Sequence, residues 1–303
     1  MTTVEKPSTS NTPTHEDEVA RFYHSGPGGK YAGAAYSKLM GDVWFHGDPD
    51  LETAGMTPRQ AAIGTLKRLA AEVEIEPEDR VLDFGSGPGG GLIELASMTE
   101  AVCVGLSIPD DLNGMARKLA AARGMEGQVS FLTPGPQDYR TLSAFPDGSF
   151  TVATAFESIC HVTRPDLLFD ALYRVVKPGG WLIVRDWAAR PWGEYQSTKD
   201  MNRFLGPVCE HISLAELRTL GRHVALIEAA GFTVHRAVDV FDGMECWGAT
   251  PPEDRPKWLD YTGPVHQVFR EGKEALDAAR GAGVFTVIEV LARRPAWPLD
   301  VNH

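Results

Sequence analysis

Between Arg80 and Ala96 the chain reads Arg-Val-Leu-Asp-Phe-Gly-Ser-Gly-Pro-Gly-Gly-Gly-Leu-Ile-Glu-Leu-Ala, a run that few folds accept. Val81, Leu82 and Phe84 end a buried strand, with one acid, Asp83, set inside it. Gly85, Gly87, Gly89, Gly90 and Gly91 crowd a turn, and Leu92, Ile93, Leu95 and Ala96 begin a helix. Strand, glycine turn and helix in that order build a nucleotide-binding corner. Glycine lets the backbone turn tightly and approach a ligand held at the helix N-terminus. Gly85, Gly87 and Gly90 also satisfy the dinucleotide spacing, which asks for a ribose-binding acid about 20 residues further on. The next strand, ending Val102-Cys103-Val104-Gly105-Leu106, offers Ser107 instead. Asp83 would repel a pyrophosphate and suits a cationic ligand. An NAD-dependent oxidoreductase is therefore the remote alternative, as is a non-catalytic binding protein, whose sign would be a broken glycine loop.

Two further motifs follow in order: Pro146-Asp147-Gly148-Ser149-Phe150, and Lys177-Pro178-Gly179-Gly180 with the apolar Trp181-Leu182-Ile183-Val184 behind it. Together with Asp83-x-Gly85-x-Gly87-x-Gly89, these resemble motif I, the turn before strand four, and the late turn and fifth strand of the class I S-adenosylmethionine-dependent methyltransferases. The resemblance covers roughly residues 60 to 240. It implies an α/β fold: a Rossmann-like, seven-stranded, mostly parallel sheet with helices on both faces. It also implies S-adenosyl-L-methionine as methyl donor. Leu39-Met40-Gly41-Asp42-Val43-Trp44-Phe45-His46-Gly47 resembles the leader of the sterol, tocopherol and glycine/sarcosine types, whose aromatic segment closes over the donor.

The remaining organisation is read from pattern. Residues 1–18 are polar and lack an apolar targeting segment, so they read as a mobile tail. Residues 19–55, with Phe22, Tyr23, Tyr31, Tyr36, Trp44 and Phe45, read as a helical, aromatic lid. Residues 56–186 form the donor-binding core and 187–222 a cap insertion. Residues 223–303 return to the core, with a second insertion at 241–283. A net charge of -12 disfavours nucleic acid and anionic membranes as partners. No apolar run reaches the roughly 18 residues of a membrane span. Cys103, Cys160, Cys209 and Cys246 are scattered without a CxxC pair, which fits reduced thiols in a cytoplasm and no metal site. The leader and second insertion are candidate contacts for a homo-oligomer.

The resemblance carries residue roles onto these positions. Asp83, Gly85, Gly87 and Gly89 would cradle the donor, and Ser107 stands where the family usually places a ribose-binding acid. Asp138 would accept from the adenine amino group with Tyr139 beside the ring, and Phe156 would lie at the sheet edge near the methyl. The ribose acid is either replaced by Ser107 or supplied by a later one, Asp110 or Asp111, which read equally as acids capping a helix N-terminus. Glu157, at the end of strand four, would take a proton, stabilise a cation or bind an amine; the alternative is a helix cap. His161 is the second catalytic candidate, a polar pocket group that, like His211, would serve as base for a hydroxyl acceptor. Tyr23, Tyr31, Trp187, Trp192, Tyr195 and His211 are candidates for substrate contact. The implied activity is methyl transfer to a small, largely apolar metabolite in natural-product biosynthesis. It leans to C-methylation of an isoprenoid alkene, with an amine or hydroxyl acceptor as the alternative.

Overall fold

A computed structural model of the chain describes residues 13–30, 32–191, 198–247 and 266–296. The glycine corner forms as expected: β1 (Arg80–Phe84) runs into α5 (Gly90–Thr99). On one side follow β2 (Val102–Leu106), α6 (Asp110–Ala122), β3 (Val129–Leu132) and α7 (Pro136–Tyr139). The chain then returns to β4 (Phe150–Phe156), α8 (Pro165–Val175) and β5 (Val176–Ala189), and ends through α10 (Leu220–Ala229), β6 (Thr233–Asp239) and β7 (Phe285–Arg293). The strand order is β3-β2-β1-β4-β5-β7-β6, parallel except for β7, which is antiparallel to both neighbours. This is the expected seven-stranded, Rossmann-like fold. Strand order reverses between β1 and β4, and that switch point opens a crevice at the carboxyl ends of the strands.

Apolar packing on both faces makes this frame rigid. Leu82, Phe84, Phe150, Phe169 and Leu172 bury on one side, and Val81, Leu69, Leu92 and Ile93 on the other. Each such side chain contributes about 1.5–3 kcal/mol. The helix α4 (Pro58–Glu72) covers the second face. It starts where Thr57 and Gln60 satisfy each other's backbone N–H groups and Pro58 occupies the first turn.

Several boundaries differ from the sequence expectation. Lys177 to Gly180 do not end a helix-to-strand turn but stand out as a bulge inside β5, because the pairing steps from Phe150–Val176 to Val152–Trp181. The tail ends before residue 18: a capping box of Thr14 and Asp17 starts α1 (His15–Tyr23). The rest of the leader forms α2 (Ala32–Met40) and α3 (Pro49–Thr53). The first insertion is largely helical, as α9 (Thr198–Ile212), and α10 begins at Leu220 because Thr219 caps it. The second insertion contributes α11 (His266–Gly281), which packs along α9. No helix among the described residues is long and apolar enough to cross a membrane.

Two of the buried charged residues in the sheet form an ion pair. Arg185 of β5 and Glu289 of β7 face each other in register, 2.7 Å apart and almost wholly buried. Arg185 also bonds Asp48 and the carbonyls of His46 and Gly47, so a buried guanidinium clamps the end of the leader to the sheet.

Candidate active site

A cavity of about 880 Å³ opens above the switch point, within the range of small-molecule sites. Its floor is the glycine corner. Gly85 holds φ +82°, and a Cβ there would lie 2.3 Å from that of Ser158. Gly89 holds φ +84° as it leads into α5, and a Cβ would meet Ala116 at 2.6 Å. Any other residue at either position would be strained and would close the loop on its neighbours. Asp83 is buried beneath them and accepts from Thr154 Oγ1 at 2.8 Å. Burial pushes its carboxyl up to about 7, against the lowering effect of the Thr154 hydrogen bond. Ser107 is buried at the end of β2, with its Oγ 3.5 Å from that of Ser86, and Tyr139 stacks on Phe84 with ring centroids 4.2 Å apart.

The leader forms the roof. Asp42 accepts the Gly90 N–H through its carbonyl and pairs with Arg59 through its carboxylate, so the leader sits directly on the glycine corner. Trp44 lies over Gly87 and packs against Tyr23 and Tyr36, at centroid distances of 6.0 and 5.6 Å. Phe45 stacks on Phe156 at 4.8 Å. The far wall is Trp187 and Trp247, with His211 of α9 beside Glu271 of α11 at 3.5 Å.

Two hydrogen-bonded groups lie between floor and roof. Tyr23 Oη and His161 Nε2 are 3.0 Å apart, and His161 Nδ1 is 2.8 Å from the Ser213 carbonyl. A carbonyl only accepts, so Nδ1 carries the proton and Nε2 accepts from the tyrosine hydroxyl. Burial lowers the His161 pKa, so the neutral ring is favoured. The second group centres on Glu157, whose backbone adopts φ +50°, a left-handed conformation that costs about 1–2 kcal/mol in a residue with a side chain. Glu157 accepts from the backbone N–H of His46 at 2.8 Å, from His46 Nδ1 at 3.0 Å and from Trp187 Nε1 at 2.7 Å. Burial alone would raise its carboxyl, but the charge of His46 and these hydrogen bonds outweigh it and hold the group below the usual range.

The structure thus brings Asp83, Gly85, Gly87, Ser107, Tyr139, Phe156, Glu157, His161, Tyr23, Trp187 and His211 to the wall of one cavity, while Gly89 shapes its loop from behind. Asp138 is not there: it is exposed on α7 and accepts from Ser143 Oγ at 3.1 Å. Asp138 lies in the one-turn helix α7, where its backbone N–H bonds the Gly135 carbonyl and its side chain stays outside the cavity. Glu157 is not a helix cap, because the 3-10 turn Ile159–His161 receives no side-chain cap and the carboxylate points to the leader. Asp110 binds Arg117 and Thr133, and Asp111 accepts the Ser25 N–H; both lie in the first turn of α6. Tyr31, Trp192 and Tyr195 lie outside the described residues. Sequence reasoning did not single out His46 or Arg185, although His46 lies inside the leader motif.

A family model described as a methyltransferase domain matches residues 57–237, more than half of the chain. The chain belongs to the methyltransferase-domain family. Among curated relatives, it is 36% identical to a sterol 24-C-methyltransferase of Neurospora crassa over 39% of this chain and 30% of that one. It is 29% identical to the chloroplastic tocopherol O-methyltransferase of Arabidopsis thaliana, over 57% of this chain and 49% of that one. The chain thus spans about half or less of the length of these relatives. Among solved structures it is similar to the [4+2]-cyclase SpnF, with a TM-score of 0.74 and 21% identity over 94% of this chain and 98% of that one. That likeness concerns the fold alone.

Proposed function

We propose that the protein transfers the methyl group of S-adenosylmethionine to a small, largely apolar metabolite of natural-product biosynthesis, with an alkene carbon of an isoprenoid as leading acceptor. One observation carries this reading: a single cavity runs from Asp83 and the glycine loop to a chamber walled by Tyr23, Tyr36, Trp44, Phe156, Trp187 and Trp247. The floor fits the donor. Asp83 is a buried acid with one described donor, suited to a cationic amine; the loop would be filled by any Cβ; and Ser107 is placed for a ribose hydroxyl. The donor supplies a sulfonium-bound methyl that a nucleophile in line with the carbon–sulfur bond displaces.

The chain's own residues supply position and dryness. The leader closes the floor from water, the Tyr23–His161 hydrogen bond ties α1 to the sheet edge, and the aromatic faces favour positive charge beside them. Among the described residues each lining lysine and arginine is already paired: Arg59 with Asp42 and Glu94, Lys273 and Arg280 with Asp277. That favours an uncharged acceptor over a free diphosphate. The relatives named for carbon and for oxygen methylation support both an alkene and a hydroxyl acceptor.

Native mass spectrometry with S-adenosylmethionine and NAD tests the class. A bound mass of the donor or its demethylated product is expected, followed by turnover on a panel of prenyl alkenes, phenols and amines. Binding of NAD alone would replace this reading with a dinucleotide enzyme.

A further inference from the structure

We infer that His46, on the leader, is the proton acceptor of this site and that Glu157 is its positioning residue. The inference rests on the reading above and deepens it. Glu157 itself is poorly suited to take a proton. Its two oxygens receive N–H donors from the His46 backbone, His46 Nδ1 and Trp187 Nε1. Protonating it would set an O–H against donors that need acceptors. An ionised carboxylate only accepts, so His46 Nδ1 keeps its hydrogen in either protonation state, and the ring takes up or releases a proton at Nε2. His46 lines the cavity, and Nε2 has no partner among the described residues.

The other histidines on the wall are placed differently. His161 uses both nitrogens, on Ser213 and Tyr23, and His211 Nδ1 faces an acid, Glu271, but at 3.5 Å and with that carboxylate 40% exposed against 6% for Glu157. His46 is also held in place although it belongs to the leader. Its N–H is bonded to Glu157, its carbonyl to Arg185 Nε at 3.1 Å, and its ring stacks on Trp247 with centroids 4.1 Å apart. Glu157 and the tryptophan face both stabilise the imidazolium that proton uptake creates.

The step balances without a further reactant. For a hydroxyl or amine, the acceptor's lone pair forms the new bond to the methyl carbon while the carbon–sulfur pair departs to sulfur; the acceptor's proton passes to Nε2 and later to water. For an alkene, the π pair forms that bond, and the proton lost to Nε2 comes from the adjacent carbon as the double bond re-forms.

Nitrogen-15 NMR of histidine-labelled protein with S-adenosylhomocysteine reads the tautomer without turnover. The expected result is that the neutral ring of His46, reached by following the titration to its upper plateau, holds its proton at Nδ1 with a bare Nε2, changing to a mixture in Glu157→Gln. A neutral ring protonated at Nε2 in the unaltered protein, or one indifferent to Glu157→Gln, overturns the assignment. On whichever acceptor of the panel is methylated, His46→Gln should lower kcat at least 100-fold with KM within about threefold. Turnover within threefold of the parent overturns it equally. Failure of S-adenosylhomocysteine to bind the unaltered protein would instead refute the donor reading and leave the tautomer measurement standing.

Discussion

The floor and the roof of the cavity are built by opposite means. The floor consists of backbone: the ends of β1, β2 and β4, a loop that only glycine permits, and one buried acid, all held by apolar packing on both faces of the sheet. The roof consists of side chains on short helices and on the loop between α2 and α3, held by ion pairs and hydrogen bonds such as Glu16–Arg140, Asp42–Arg59 and Asp48–Arg185. A backbone cradle tolerates little change and suits a ligand that never varies. A roof of aromatic side chains on small elements can be re-cut for each acceptor without disturbing the sheet. The same chain can therefore be plain about its donor and reticent about its acceptor.

The largest expected effect breaks the joint between the two. Arg185→Met leaves Glu289 and Asp48 facing a buried gap, and uncompensated buried charge costs about 3–5 kcal/mol. Thermal unfolding should fall accordingly, and limited proteolysis should open the leader first. A variant as stable as the parent would show that Arg68 and Arg236, which also reach Glu289, suffice to hold the clamp. Next comes the floor itself. Gly89→Ala combines a left-handed φ with a contact of 2.6 Å to Ala116, at about 2–3 kcal/mol. It should also weaken S-adenosylhomocysteine binding by calorimetry, whereas substitutions at exposed roof positions should not.

The same contrast explains what the sequence disclosed. β3 and β4 begin and end where their apolar residues do, and the glycine corner follows from spacing, because local pattern decides local backbone. The roof depends on pairs that no local pattern records. Glu157 and His46 are 111 residues apart and meet only because Glu157 takes a left-handed backbone at the strand end. Arg185 and Glu289 look like surface charges in two strands until the antiparallel register of β5 and β7 sets them side by side. Asp138, expected at the adenine, lies on the exposed side of the four-residue helix α7, while its neighbour Tyr139 turns inward onto Phe84.

A smaller effect, on the floor alone, is a pH dependence. With its carboxyl raised to about 7, Asp83 keeps in the folded protein a proton that the unfolded chain releases near 4. Unfolding free energy should therefore fall as pH rises from about 4 to about 7, and that slope should vanish in Asp83→Asn. A cationic amine binds the ionised form, so S-adenosylhomocysteine affinity should drop about tenfold for each pH unit below about 7. Calorimetry in buffers of different ionisation enthalpy should register proton release at pH 6 and little at pH 8. Flat affinity from pH 5 to 8 would mean that Asp83 does not meet the amine.

The smallest expected effect tests whether the roof is latched or merely packed. Tyr23→Phe removes one hydroxyl donor to His161 and leaves the ring between Trp44, Tyr36 and Phe22. Stability should change by about 1 kcal/mol, the net worth of one such hydrogen bond. The more telling readout is hydrogen exchange of α1 with S-adenosylhomocysteine bound. If the Tyr23–His161 bond is a latch, the variant should lose the ligand-induced protection of α1 while the glycine loop keeps its own. If α1 stays equally protected, aromatic packing alone holds the roof down, and floor and roof would differ in what they touch but not in how they are held.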